Sequence, residues 1–428
     1  MSARAAARRA IRRVEKQGAY ATLALAAELD ASPLSARDRA LATEIVYGVF
    51  RHRTRLDRAL SAMTPRGIKK LAPKLRAVLR VAAYQLLFLD RVPAHAVIND
   101  AVSAARRAGG GRMAGFANGL LRRLAREGEP PLPDADADRA AYVEVACSLP
   151  AWMVACLRDR VGDDELIDAA EAFNRPPPLC LRVNTLRTSA EVLLERLRTE
   201  APDAELEASP ATPEAIVAHR LGAPEQLPAF AEGLCTVQDI GAQLVSRLAN
   251  AAPGQRILDS CAGLGGKSTH LAQLASDQAT VIAADVSRAK LDKAEEACRR
   301  LGIRSVRSVV ADLTAVDSLD GTFDRIVLDA PCTGLGVLRR HPEAKWRITP
   351  QQVDEMAALQ RTMLDVVAPR VAPDGALVYS VCSFSAAEGP DQVAAFCQRN
   401  PGWRVDEELT TWPHRQDTDA FYAARLMR

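Results

Sequence analysis

Arg256-Ile257-Leu258-Asp259-Ser260-Cys261-Ala262-Gly263-Leu264-Gly265-Gly266-Lys267 decides the fold of this chain. A short apolar run ends in a carboxylate and passes into small residues and glycine. That pattern delivers a binding loop to the carboxyl edge of a parallel sheet. Outward from it, apolar runs recur at 280–285, 306–311, 323–329 and 376–381, with helical patterning between them. The alternation predicts an α/β domain with a doubly wound, Rossmann-like sheet over residues 241–428. Two late segments, near 403–406 and 420–427, are expected to form an antiparallel edge.

The glycine loop excludes two common ligands. A Walker A loop needs glycine at the position of Cys261, and a dinucleotide fingerprint starting at Gly263 needs glycine at Ser268. The loop Cys261-Ala262-Gly263-Leu264-Gly265-Gly266-Lys267 still permits close backbone approach. Asp285 closes the second strand, where a carboxylate can accept both hydroxyls of a ribose, and Asp312 follows the third, where one can receive the exocyclic amine of adenine. S-adenosylmethionine fits these groups, because it has a ribose and an adenine but no pyrophosphate.

Two cysteines follow the last parallel strands. Cys332 lies in Asp329-Ala330-Pro331-Cys332-Thr333-Gly334, and Cys382 in Tyr379-Ser380-Val381-Cys382-Ser383. A single cysteine there reads as a buried inert thiol. Two at one crevice point to covalent chemistry on an unreactive carbon. Carbon 5 of cytosine is such a carbon: a thiolate added at carbon 6 makes it enamine-like and able to take a methyl group from a sulfonium.

At 428 residues the chain exceeds one typical domain. Its net charge of +3 conceals an asymmetry: residues 1–130 carry 25 Lys+Arg against 10 Asp+Glu, about +15, and the remainder is near −12. A basic module joined to an acidic one suggests a polyanionic partner. No apolar run approaches the roughly 20 residues that a bilayer requires, and no apolar stretch of the signal-peptide kind follows the N-terminal arginines. The nine cysteines include no C-x-x-C pair and no zinc-finger spacing, so they read as reduced thiols in a cytoplasmic protein without a metal site.

Helical spacing dominates the basic segment, over 35–61, 75–89 and from Ile98 onward, with a turn at Gly109-Gly110-Gly111 and a linker at Glu129-Pro130-Pro131-Leu132-Pro133. Residues 140–240 suggest a small α/β module, with a strand at Leu179–Asn184 and a helix after Thr188-Ser189-Ala190-Glu191. The strings Arg37–Leu41, Glu44–Arg51, Leu79–Leu87, Val92–Val102 and Phe116–Arg122 resemble the helical NusB type of antitermination-factor domain. That resemblance implies an all-α RNA-binding domain over residues 1–130.

Asp329–Gly334 with Arg339-Arg340-His341-Pro342-Glu343 and Lys345-Trp346, together with Tyr379–Ser383, resembles the RNA cytosine-5 methyltransferases. With the helical domain, the whole chain is similar to the bacterial small-subunit (16S) ribosomal RNA enzymes of the B type. The resemblance implies a class I S-adenosylmethionine-dependent fold. It makes Cys382 the nucleophile and gives Cys332 a part in product release. Residues Cys261–Lys267, Asp285, Asp312 and Asp329 become the cofactor site, with Asp329 also near the target base. Arg339, Arg340, His341 and Lys345 become RNA contacts, and the middle module a second RNA-contacting element. The expected partner is 16S ribosomal RNA, free or in an assembling subunit, and the expected enzyme a cytoplasmic monomer. Transfer RNA is the alternative substrate. A non-catalytic RNA-binding assembly factor is the alternative class, and it would need neither cysteine. Four positions depart from the family pattern: Gly263-Leu264 stands where Ala-Pro is usual, Val381 where Thr is, and Ala420 where Gly is.

Overall fold

The structure, a computed structural model, describes residues 2–64, 67–315 and 320–428. The chain forms two units, Met1–Arg175 with Leu338–Arg347, and Pro176–Val337 with Ile348–Arg428.

The first unit is helical: α1 (Ala3–Gln17), α2 (Ala21–Asp30), α3 (Ala36–Arg51), α4 (Arg53–Ala62), α5 (Pro73–Phe88), α6 (Ala94–Glu127), α7 (Arg139–Ala146) and α8 (Ala151–Ala172). In α1, Ala3, Ala7, Ala10, Ile11 and Val14 recur at helical spacing and are all buried, while the Ser2 hydroxyl accepts the Ala5 N–H. With few aromatics to fill space, the helices approach closely. A Cβ added at Gly48 would lie 1.9 Å from the Tyr84 ring. Gly109 and Gly110 interrupt α6, and Gly110 adopts φ +77, as the glycine triplet predicts for a turn.

The helices over 139–172 group with this unit, whereas the sequence patterning ends the helical domain at 130 and assigns residues from 140 to the middle module. The proline run between them is not a free spacer. Arg58 donates to the carbonyls of Pro130 at 3.1 Å and Pro131 at 2.6 Å, and Arg55 pairs with Glu129 at 2.7 Å, which ties the run to α4.

The second unit holds two sheets. The smaller has strand order β2-β3-β1-β4, all antiparallel, from β1 (Leu179–Val183), β2 (Glu205–Ala208), β3 (Ala215–His219) and β4 (Cys235–Val237). The helix α9 (Ala190–Glu200) packs on it, its first turn capped by Ser189, which accepts the Val192 N–H at 3.3 Å. After the single-turn α10 (Pro228–Ala231) and α11 (Ile240–Leu248) comes the larger sheet. Its strands are β5 (Arg256–Asp259), β6 (Thr280–Asp285), β7 (Val306–Val310), β8 (Phe323–Asp329), β9 (Val371–Val381), β10 (Arg404–Thr411) and β11 (Phe421–Met427). Their order is β10-β11-β9-β8-β5-β6-β7. Strands β9, β8, β5, β6 and β7 run parallel, and β10 and β11 close the edge antiparallel. The helices α12 (Gly266–Leu274), α13 (Arg288–Leu301), α14 (Pro350–Val367), α15 (Pro390–Arg399) and the one-turn α16 (Pro413–Gln416) connect them.

Winding departs from β5 in both directions, toward β6 and toward β8, so the switch point lies between β5 and β8. Ligands of open α/β sheets bind at that point, beyond the carboxyl ends of the strands. Among the described residues no helix is long and apolar enough to cross a membrane.

Candidate active site

The loop after β5 is built by local hydrogen bonds. The Ala262 N–H donates to the Ala284 carbonyl at 2.9 Å, and the Gly265 N–H to the Ala262 carbonyl at 2.8 Å. Gly263 and Gly265 adopt φ +55 and +80, and a Cβ at Gly265 would lie 2.7 Å from that of Ala294. Glycine is required there by both conformation and space. Asp285 grips the loop: its Oδ2 accepts the Gly263 N–H at 3.0 Å, and its Oδ1 the Ser287 N–H at 2.8 Å. Beneath the loop, Asp259 is fully buried and accepts from Ser268 Oγ at 2.6 Å; burial pushes its carboxyl up to about 6. Burial and the surrounding carboxylates push the Cys261 thiol far up, which leaves it inert.

Lys267 spans the switch point. Its Nζ lies 2.6 Å from Asp329 Oδ2 at the end of β8, while Asp329 Oδ1 accepts from Ser380 Oγ of β9 at 2.8 Å. Burial opposes the charge on Lys267, but Asp329 outweighs it and the ammonium titrates above its ordinary value. One carboxylate thus links the loop after β5 to the ends of β8 and β9.

At that junction Cys332 Sγ and Cys382 Sγ lie 3.4 Å apart. The hydrogen bond to Cys382, then burial, then the charges of Cys382 and Glu388 hold the Cys332 thiol well above its ordinary value. Either sulfur can be the donor in this contact. Each of the nine cysteines is free. Among the described residues no group of three or more His, Cys, Asp or Glu is placed to hold a metal ion.

Comparison with known proteins bears on the whole length. Residues 247–427 match the family described as 16S rRNA methyltransferase RsmB/F, residues 1–126 the NusB family, and residues 149–222 an RsmF/B-like ferredoxin-like domain. A probable ribosomal RNA small subunit methyltransferase B from Synechocystis is 35% identical over 451 aligned positions, covering 100% of both chains. That of Bacillus subtilis is 32% identical, covering 95% of this chain and 91% of its own. The chain belongs to the ribosomal RNA small subunit methyltransferase B family. The crystal structure of PH0851 shares its fold, with a TM-score of 0.82 and 26% identity over 100% of this chain and 98% of that one.

Two basic residues of this methyltransferase depart from their expected place. Arg339 and Lys345 are each 2% exposed. Lys345 Nζ donates to the Asn174 side chain at 2.6 Å and the Cys147 carbonyl at 3.0 Å, and Arg51 donates to the Arg339 carbonyl at 3.2 Å. Burial draws the Lys345 ammonium down to about 7. The Lys345 side chain is spent inside the helical unit, and the Arg339 side chain is buried. Trp346, which donates to the Phe50 carbonyl at 2.8 Å, braces the same segment. Arg340 and His341 are half-buried. Asp312, just past β7, accepts the Thr314 N–H at 2.9 Å and hydroxyl at 2.7 Å, a local turn of its own.

Arg182 is a residue that sequence patterning misses. In Leu181-Arg182-Val183 the alternation of a half-buried strand places Arg182 in solvent, yet it is 1% exposed and donates to the Gly266 carbonyl at 2.7 Å and to Thr269 Oγ1 at 2.8 Å. It supports the first turn of α12 from below, and burial lowers its guanidinium to about 9. Beside it, the buried His270 Nε2 lies 2.8 Å from Glu214 Oε1.

This pair makes the second unit acid-sensitive. Burial first, then Arg182, lowers His270 from 6.5 to about 4, and its Nδ1 has no hydrogen-bond partner among the described residues. Between those values the unfolded chain takes up a proton that the folded one refuses. Stability is complete above pH 6.5 and falls as pH drops toward 4, by on the order of 3 kcal/mol. Burial opposes the charge of Glu214, but hydrogen bonds from His270 and Arg247 lower it from 4.5 to about 2, so a second loss sets in below pH 4.5. Urea midpoints measured from pH 7 to 4 are expected to fall for the wild type and to flatten above pH 4.5 for His270→Gln. Equal slopes in the two proteins would contradict the assignment.

Proposed function

We propose that this chain transfers a methyl group to carbon 5 of a cytosine in 16S ribosomal RNA, through a covalent cysteine–cytosine intermediate. The observation that carries this reading is the pair of thiols 3.4 Å apart beyond β8 and β9. When bound, S-adenosylmethionine supplies an electrophilic methyl group on a sulfonium. The chain's residues fit it: Gly263 leaves the loop open to backbone approach, and the Asp285 carboxylate, fixed by two backbone N–H groups, retains lone pairs for a ribose. Cys261–Lys267, Asp285, Asp312 and Asp329 would line that site.

Cys382 is the nucleophile in this reading. It lies 3.4 Å from Cys332 Sγ, at the end of the strand beside the Lys267–Asp329 pair. Its sulfur bonds to carbon 6, and the displaced electron pair makes carbon 5 nucleophilic. After methylation, water takes the carbon-5 proton, the ring double bond re-forms and the Cys382 sulfur leaves as a thiolate with the electron pair of the carbon–sulfur bond. Cys332, 3.4 Å away, serves this release by giving its thiol proton to the departing sulfur, and is itself reprotonated from solvent. Asp329, held by Lys267 and Ser380, is placed to orient the base.

The helical unit holds the RNA. Arg8, Arg9, Arg12, Lys74 and Arg107 line a cleft of about 270 Å³ on it, a cationic lining suited to phosphate. Arg340 and His341 are the contacts left to the loop after β8. A ribosomal RNA substrate with nine unpaired thiols supports the cytoplasm.

Mapping 5-methylcytosine in 16S ribosomal RNA by bisulfite sequencing tests the reading. Cells lacking the protein are expected to lose one modified cytosine, regained with the wild type and not with Cys382→Ala. An unchanged map would sink the proposal.

A further inference from the structure

Glu388 belongs to neither cysteine motif and to no part of the cofactor loop. It follows Cys382 in the turn before α15, and its side chain is 0% exposed. Every polar partner of its carboxylate is a donor. Oε1 accepts the Thr333 N–H at 2.7 Å and Gln360 Nε2 at 3.3 Å. Oε2 accepts the Thr333 hydroxyl at 2.5 Å and the Ser383 hydroxyl at 2.6 Å. Thr333 is the residue after Cys332, and Ser383 the residue after Cys382. Gln360, from α14, also donates to the Pro331 carbonyl at 2.8 Å, so both neighbours of Cys332 are tied into the same network. Tyr379, in the strand that leads to Cys382, donates to the Glu388 carbonyl at 2.5 Å and to Gln360 Oε1 at 3.1 Å.

A carboxylate buried this completely is costly unless its lone pairs are filled. Here four donors fill them, and three come from residues adjacent to the thiols. The two cysteine loops have no continuous strand pairing between them beyond Asp329–Ser380 and the Ala330 N–H to Ser380 carbonyl bond. Past that point the loops are joined by the Gly336 N–H to the Cys382 carbonyl, by the contact of the two sulfurs, and by Glu388, the one side chain that bonds residues next to both thiols. Its charge also adds to the forces that keep the proton on Cys332.

We propose that Glu388 is a positioning residue whose buried carboxylate holds the Cys332 and Cys382 loops at the spacing that the two-thiol reaction requires. This inference rests on the two-thiol reading of the site.

The test compares Glu388→Ala, Glu388→Gln and Cys382→Ala with wild type in steady-state methyl transfer to small-subunit ribosomal RNA. Glutamine keeps the shape. Its carbonyl serves the Thr333 and Gln360 N–H groups, while its amide faces two hydroxyls that can rotate to accept. Glu388→Ala is expected to lose about 100-fold in kcat, the cost of misplacing reacting groups by about 1 Å, with KM for RNA and cofactor within about 3-fold of wild type. Glu388→Gln should recover most of that loss. A role confined to folding would instead lower thermal stability without a selective kcat effect. Wild-type kcat in Glu388→Ala overturns the inference, as does a parallel loss in kcat and KM that glutamine fails to rescue. If Glu388→Ala does not fold, Thr333→Val combined with Ser383→Ala removes both Oε2 donors and should show the same kcat-selective loss; wild-type kcat there also overturns it. Activity in Cys382→Ala overturns the two-thiol reading itself, whereas an inactive Cys382→Ala beside a fully active Glu388→Ala overturns only the role of Glu388.

Discussion

Mixed with ribosomal RNA and S-adenosylmethionine, Cys332→Ala is expected to yield a shifted protein–RNA band on a denaturing gel, and Cys382→Ala none. The difference arises from which sulfur bonds to the base. The two sulfurs share a hydrogen bond at 3.4 Å, and the partner thiol, burial and Glu388 all raise the Cys332 thiol. Removing Cys382 removes the atom that bonds to carbon 6. Turnover should fall by several orders of magnitude, as when the nucleophile of a covalent mechanism is deleted. Removing Cys332 leaves attack and methyl transfer intact but impairs release, so the adduct accumulates. Serine at either position is a poor replacement, because an alkoxide is far harder to generate near neutral pH than a thiolate. The reverse pattern of bands would make Cys332 the nucleophile. Normal methyl transfer by both variants, with no band from either, would leave the cysteines as packing residues.

Gly336→Val is expected to cost both stability and turnover. Gly336 does not need its glycine for a left-handed backbone. It needs it for space: an added Cβ would lie 1.9 Å from the Ala420 carbonyl oxygen and 2.9 Å from the Cys382 carbonyl carbon. Both obstacles are backbone atoms, which no rotamer change can move aside. They are also its hydrogen-bond partners, since the Gly336 N–H donates to the Cys382 carbonyl and the Ala420 N–H to the Gly336 carbonyl, at 2.9 and 3.0 Å. Overpacking costs about 1–3 kcal/mol and each lost backbone bond about 1 kcal/mol, so a loss of about 3–5 kcal/mol is expected in urea unfolding. Because Cys382 itself must shift, kcat should drop by about 100-fold or more even under conditions where the variant is fully folded. Gly402→Ala is the control: a Cβ there meets nothing within 4 Å, and both quantities should stay near wild type. A Gly336→Val protein with wild-type stability and turnover would contradict the packing described. The same contact sets the Ala420 backbone, where the family pattern has glycine, against Gly336.

The sequence by itself determined the alternating strand–helix class of the larger sheet and the two segments of its antiparallel edge. Ile257-Leu258-Asp259 with the glycine loop, the apolar runs ending at Asp285 and Asp329, and the cysteines just past two strand ends are local patterns. A strand delivers the residues after it to the carboxyl edge wherever the rest of the chain lies, so covalent order and strand direction bring these residues to one edge of the sheet, and the pairing of β5, β8 and β9 brings them together. Even the edge segments expected near 403–406 and 420–427 appear as β10 and β11. The tertiary structure alone decided the fate of the charges. Lys345 and Arg339 have the composition of an RNA-facing loop, yet Lys345 is held by Asn174 and Cys147 of the helical unit. Arg182 sits at the solvent phase of a strand pattern, yet α12 covers it and takes its hydrogen bonds at Gly266 and Thr269. Glu388 looks like a turn residue ahead of a helix, yet it fastens Thr333 to Ser383. Whether a charged side chain is solvated or buried depends on which distant donors, acceptors and surfaces surround it. Periodicity records only covalent neighbours and alternating faces, so that choice is made when the chain folds.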